Sequence, residues 1–129
     1  MSDDLAYASI AELGTLLRTR ALSCEELVST LIARTERLQP RLNSYITFLP
    51  DRAREAAREA DAAVGRGDDR GPLHGIPVGI KDHIATAGIP TSAGAKFRLT
   101  NVPTEDAVVV RRLKAAGAIV MGKAHMNKF

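Results

Sequence analysis

Two short apolar runs constrain this chain more than any other feature. Ile76-Pro77-Val78-Gly79-Ile80 and Ala118-Ile119-Val120-Met121 carry no charge, and both have the length of a strand covered on each face. Between them comes a turn-rich loop with Gly88, Pro90, Gly94 and Pro103, then a helical pattern. Thr104 or Asp106 is the expected cap of that helix. Val109, Val110, Leu113 and Ala116 form its expected core stripe, and Gly117 suits C′. This β-loop-α-β order predicts neighbouring parallel strands joined by a right-handed crossover, and so an α/β fold. Two fully apolar strands need more sheet beside them, yet only eight residues follow Met121. The expectation is that residues 1–129 are the incomplete N-terminal fragment of one larger α/β/α sheet domain.

Upstream the pattern is helical. Ser9 and Glu12 have capping-box spacing and precede Leu13, Leu16 and Leu17 on one face. Ser23 and Glu26 repeat the signal before a stripe of Leu27, Val28, Leu31 and Ile32, with Pro40 expected just past the helix end. Cys24, in the first turn, reads as a buried small hydrophobe. Residues 44–49 are β-branched and aromatic and predict a short strand. Pro50-Asp51 then opens a third long helix with Ala53, Ala56, Ala57 and Ala60 as its buried stripe. The chain thus divides into a helical part (1–64), a Gly-rich connector (65–72) and the β-α-β part (73–129).

Composition excludes several classes. Apolar residues at 45% are too many for a disordered chain. The net charge is +3, and no Lys/Arg run exceeds two residues, so there is no nucleic-acid footprint. Aromatics are 4% with no Trp, which leaves no platform for stacking bases. No apolar run approaches the roughly 20 residues of a membrane span. Met1-Ser2-Asp3-Asp4 is acidic where a signal peptide would be basic. Cys24 is the single cysteine, so no internal disulfide forms, and a cytoplasmic location is expected.

Few residue patterns suggest chemistry. Residues 117–124 nearly match the phosphate loop G-x-x-x-x-G-K-[ST], but Ala124 replaces the hydroxyl and the intervening residues are strand-like. His74, His83 and His125 are far apart and form no H-E-x-x-H pair. Pro90-Thr91-Ser92-Ala93-Gly94 is half a nucleophile elbow, lacking its first glycine, and Ser92 reads as a turn residue. Lys81 stands apart. It ends an apolar strand, at the edge where open α/β sheets collect ligands. Burial among the strands, with close backbone approach at Gly75 and Gly79, would disfavour its ammonium and make it a base. A solvated lysine paired with Asp82 is the other reading of the same residues.

The stretch from Gly71 to Asp82 (Gly-Pro-Leu-His-Gly-Ile-Pro-Val-Gly-Ile-Lys-Asp) resembles the catalytic-lysine region of the amidase signature family. The resemblance continues through residues 87–94, Glu105-Asp106-Ala107, Val109-Val110, Leu113, residues 116–118 and Gly122-Lys123. Upstream it takes in Ser23, Glu25, Leu27 and the segment from Pro40 to Ile46. It implies amide hydrolysis by a Ser–cis-Ser–Lys triad, with Lys81 as the base. The two serines of the family lie in a Gly/Ser-rich segment beyond the region matched, so this chain supplies only Lys81 and alone is expected to be inactive. His125, where Asn is frequent, and Asn127-Lys128, where acidic residues are frequent, depart from the family pattern near its substrate cleft.

The resemblance implies no cofactor and no metal, and a small amide as substrate of the full-length protein. Two other functions fit the same residues. One is the A subunit of the tRNA-dependent glutamine amidotransferase. The other is a non-catalytic truncated chain that binds or self-associates through its exposed sheet edge.

Overall fold

The computed structural model describes residues 4–126. In chain order the elements are α1 (Asp4–Tyr7), α2 (Ile10–Arg18), α3 (Cys24–Leu42), β1 (Tyr45–Phe48), α4 (Pro50–Gly65), β2 (Pro77–Lys81), a 3-10 turn (Lys96–Arg98), α5 (Val108–Ala115) and β3 (Ile119–Ala124). The strands form one sheet in the order β1-β3-β2. β2 runs parallel to β3, as the β-loop-α-β reading requires, and β1 pairs antiparallel on β3's other side. β3 is therefore the central strand.

The helix starts follow from local chemistry. The Ser9 hydroxyl accepts from the Glu12 N–H at 3.1 Å, and the Glu12 carboxylate accepts from the Ser9 N–H at 2.7 Å. Ser23 and Glu26 do the same at 3.0 and 2.9 Å, so four N–H groups that a helix leaves unpaired are satisfied by side chains. Asp61 of α4 accepts from the N–H groups of Cys24 and Glu25 at 2.7 and 3.0 Å, which ties the start of α3 to α4. Burial pushes the Cys24 thiol up to about 12, so it stays protonated and unreactive.

The core lies where α2, α3 and α4 meet one face of β3. Leu13, Leu17, Leu27, Val28, Ile32, Ala53 and Ala57 pack with Ile119 and Met121. Five expectations need correction. Pro40 lies inside α3, whose last turn is closed by Asn43 in the left-handed region donating to Gln39 O at 2.7 Å. A proline so near the end removes only one ladder bond. On α4 the buried alanines are Ala53, Ala57, Ala60 and Ala63, whereas Ala56 is exposed; the stripe follows the 3.6-residue period past Ala60. On α5 only Val110 is buried and Val109 is exposed. The α5 N-cap is Ala107 with no side-chain cap, because Asp106 points elsewhere, accepting from Ala87 N at 2.7 Å and from Lys114 Nζ at 2.9 Å. Finally, the described residues do not cover β2 on both faces. Of its residues only Ile80 is buried, since it lies at the sheet edge.

Two glycines are dictated by space. Gly117, at φ +87°, would place a Cβ 2.9 Å from His74 Cα. Gly122 sits under the irregular crossing of β1, where a Cβ would run into the Thr47 carbonyl and meet Phe48 Cα at 3.2 Å.

Candidate functional site

The parallel pairing sets Ile80 beside Lys123 and Lys81 beside Ala124. Both strands thus end at the same edge, the side on which open α/β sheets build their sites. Lys81 is the last residue of β2. Its side chain is exposed, against the expectation that flanking strands would bury it. Neither glycine invoked for that burial faces it, for Gly75 packs on Cys24 and Gly79 on the Tyr45 ring.

The lysine that the strands do bury is Lys123, which is wholly inaccessible. Its ammonium donates to Ile84 O at 2.9 Å and to Thr91 Oγ1 at 2.7 Å, and lies 3.7 Å from Asp82 Oδ1. Asp82 is 1% exposed and Ser92 2%. The Ser92 hydroxyl donates to Asp82 Oδ2 in a short hydrogen bond, and the Ser92 N–H donates to the same oxygen at 3.1 Å. Removal from water pushes the Lys123 ammonium below the ordinary lysine range, and the Asp82 carboxylate pulls it back up. The half-elbow serine is therefore no free nucleophile. Its hydroxyl proton is committed to a buried carboxylate, and its oxygen accepts from Gly94 N at 3.2 Å.

The sequence reading missed this cluster, although a signal existed. Lys123 follows directly on the apolar run 118–121, and it is buried with Ile119 and Met121. A lysine buried in a central apolar strand must find a carboxylate and acceptors inside. The near-match to a phosphate loop fails for the same reason, since Gly122-Lys123-Ala124 is central strand and not a loop.

The histidines do not converge. His74 is buried, with Nε2 3.0 Å from Ala60 O. His83 and His125 are exposed. Among the described residues no group of three or more His, Cys, Asp or Glu side chains could hold a metal ion. A groove of about 320 Å³ opens between α4 and β3, lined by Leu49, Ala60, His74, Thr86 and Ile119, and Lys81 does not reach it. Asn127 and Lys128, singled out above, lie outside the described residues. Among the described residues no helix is long and apolar enough to cross a membrane.

Comparison with known proteins bears on this geometry. The amidase family model matches residues 26–129. The putative amidase AmiD of Mycobacterium tuberculosis H37Rv is 42% identical over 126 residues, which is 98% of this chain and 26% of that protein. The A subunit of the glutamyl-tRNA(Gln) amidotransferase of Anaeromyxobacter sp. strain K is 40% identical over the same shares of the two chains. The native peptide amidase of Stenotrophomonas maltophilia superposes with a TM-score of 0.86 at 38% identity, covering 93% of this chain and 25% of its own. This chain thus spans about a quarter of the length of the relatives it matches. With that sequence match over most of its length and the same arrangement of helices and sheet, the chain belongs to the amidase family.

Proposed function

We propose that this chain supplies the general base, Lys81, of an enzyme that hydrolyses a small amide with a Ser–cis-Ser–Lys triad. The observation that carries the reading is the placement of Lys81. It ends a parallel strand, its side chain is free to reach outward, and it lies in the stretch that resembles the family's catalytic-lysine motif. The bridging serine, the nucleophile and the oxyanion donors come, on this reading, from residues outside the chain. Neutral Lys81 Nζ accepts the proton of the bridging serine, which takes one from the nucleophilic serine as its oxygen attacks the amide carbon. The same proton path returns to the leaving nitrogen as the C–N bond breaks. Water then attacks the acyl-enzyme and releases the carboxylic acid. Backbone donors stabilise the oxyanion in both steps.

A neutral lysine needs dry surroundings. The described residues leave Lys81 exposed, so that cover is assigned to the rest of the enzyme. No step requires a metal or nucleotide. The isolated chain holds one triad member and is therefore proposed to be inactive, since loss of single triad members already removes most of the rate. The unreactive lone thiol of Cys24 suits a reducing, cytoplasmic setting.

A second reading is the A subunit of a tRNA-dependent glutamine amidotransferase. It is favoured by the 40% identity to such a protein, close to the 42% to a putative amidase. In that case the ammonia released is passed to a partner. Both readings are tested by extending the reading frame past codon 129 and assaying the product on primary amides, with and without Lys81→Ala. Two downstream serines in a Gly/Ser-rich segment, and hydrolysis abolished by Lys81→Ala, are the expected result. Hydrolysis of free glutamine that rises only with partner proteins marks the amidotransferase. Serine-dependent hydrolysis by purified residues 1–129 would overturn the assignment of the remaining machinery to other residues.

A further inference from the structure

From the end of β2 into the turn that follows it, burial alternates. Ile80 and Asp82 are buried while Lys81 and His83 are exposed. Fixing Asp82 inward therefore fixes Lys81 outward. The backbone at this point is held from both sides. Asp82 N donates to Ala124 O at 3.0 Å, Ala93 N donates to Asp82 O at 2.9 Å, and Ile84 N donates to Lys81 O at 3.0 Å. Lys123 then bonds Ile84 O and Thr91 Oγ1, joining β3, the turn after Lys81 and the loop at 91–92. Apolar contacts are non-directional and would set none of these orientations, whereas charge-assisted hydrogen bonds have defined lengths and angles. Moreover, a buried ion pair is often no more stabilising than an apolar replacement of the same volume. Its presence beside the exposed lysine at the end of β2 calls for a reason other than stability.

We propose that the buried Lys123–Asp82–Ser92 cluster is a positioning device that sets the backbone, and hence the side-chain direction, of Lys81. The proposal rests on the reading of Lys81 as the base. Lys123, Asp82 and Ser92 touch no substrate in it; they act through Lys81. A base displaced by about 1 Å can lose on the order of 100-fold in rate. The loss falls on the step that needs the proton.

That step separates the test from mere loss of folded protein. Expelling an amine requires the proton that Lys81 relays, whereas an activated nitrophenyl ester leaves without one. The ratio of amide to ester kcat/KM is independent of how much enzyme is folded. It is measured in the whole enzyme that carries this sequence, for Lys81→Ala, Lys123→Met and Ser92→Ala. Ser92→Ala removes one donor to Asp82 and keeps the ion pair, so it serves if Lys123→Met fails to fold. The expected result is collapse of the ratio in Lys81→Ala, a fall of roughly 10- to 100-fold in Lys123→Met, and a smaller fall in Ser92→Ala. A ratio within about twofold of wild type in the foldable cluster variants, with collapse in Lys81→Ala, overturns the positioning role alone. An unchanged ratio in Lys81→Ala overturns the relay of a proton through Lys81 to the leaving amine, and this proposal, which is read through that relay, with it; unchanged amide and ester rates in Lys81→Ala overturn the base reading itself.

Discussion

Replacing Lys123 by Met tests how the molecule tolerates a charge with no access to water. The substitution keeps the length and apolar stem and removes the ammonium. Three interactions go with it: the bonds to Ile84 O and Thr91 Oγ1 and the pairing with Asp82. What remains is a carboxylate that is 1% exposed, with two bonds from Ser92 on Oδ2 and nothing on Oδ1 among the described residues. Removing one member of such a pair costs about 3–5 kcal/mol, chiefly because the other charge is stranded. That is a large share of the roughly 5–15 kcal/mol that holds a domain together. Adding Asp82→Asn restores charge balance while the amide oxygen still accepts from Ser92. The double variant is therefore expected to be more stable than Lys123→Met, with a coupling energy of about 1–3 kcal/mol. Urea unfolding followed by circular dichroism, on wild type, both single variants and the double, yields that coupling. Additive single effects of less than about 1 kcal/mol each would refute the reasoning, because Lys123 would then be contributing its stem and not its charge.

Other outcomes follow from the same structure. Gly122→Ala should cost about 1–3 kcal/mol or more, read as a lower urea midpoint, because the added methyl meets β1 backbone and not a movable side-chain end. Burial works against the Asp106 carboxylate, but the Ala87 N–H and Lys114 outweigh it and hold the group below its ordinary value of 3.8. A depressed folded value stabilises above the unfolded one and is lost as pH falls through the folded one. The stability gap between wild type and Asp106→Asn should thus be constant above that ordinary value and close in stronger acid, as measured by unfolding at a series of pH values. Purified residues 1–129 are expected to self-associate through the half-covered β2 edge; a monodisperse monomer whose unfolding ignores protein concentration would contradict this.

Much of the scaffold was legible in the residues because its signals are local. The two capping boxes, the strand at 45–48 and the C′ glycine Gly117 each depend on a few neighbouring residues, and the parallel pairing of β2 with β3 follows from the order of the elements between them; each is present. The misses have a different cause. Val109 and Ala56 fit an apolar helical stripe, but whether a stripe is covered depends on what packs against it. Asp106 has the character of a cap, yet the Ala87 N–H and Lys114 bind it instead.

The site divides along the same line. Residue order alone places a lysine at the end of the strand at position 81, makes it the candidate base through family resemblance, and puts a Gly-Lys pair after the second apolar run. Which lysine is buried is settled in three dimensions. Ser92, Asp82 and Lys123 are spread over more than forty positions of the chain, and they meet only when β3 pairs with β2 and the loop folds back. Burial is a property of what surrounds a side chain in space. The desolvation that makes Lys123 dependent on Asp82 is therefore set by the packing of the sheet and its loop, and the same packing leaves Lys81 uncovered among the described residues.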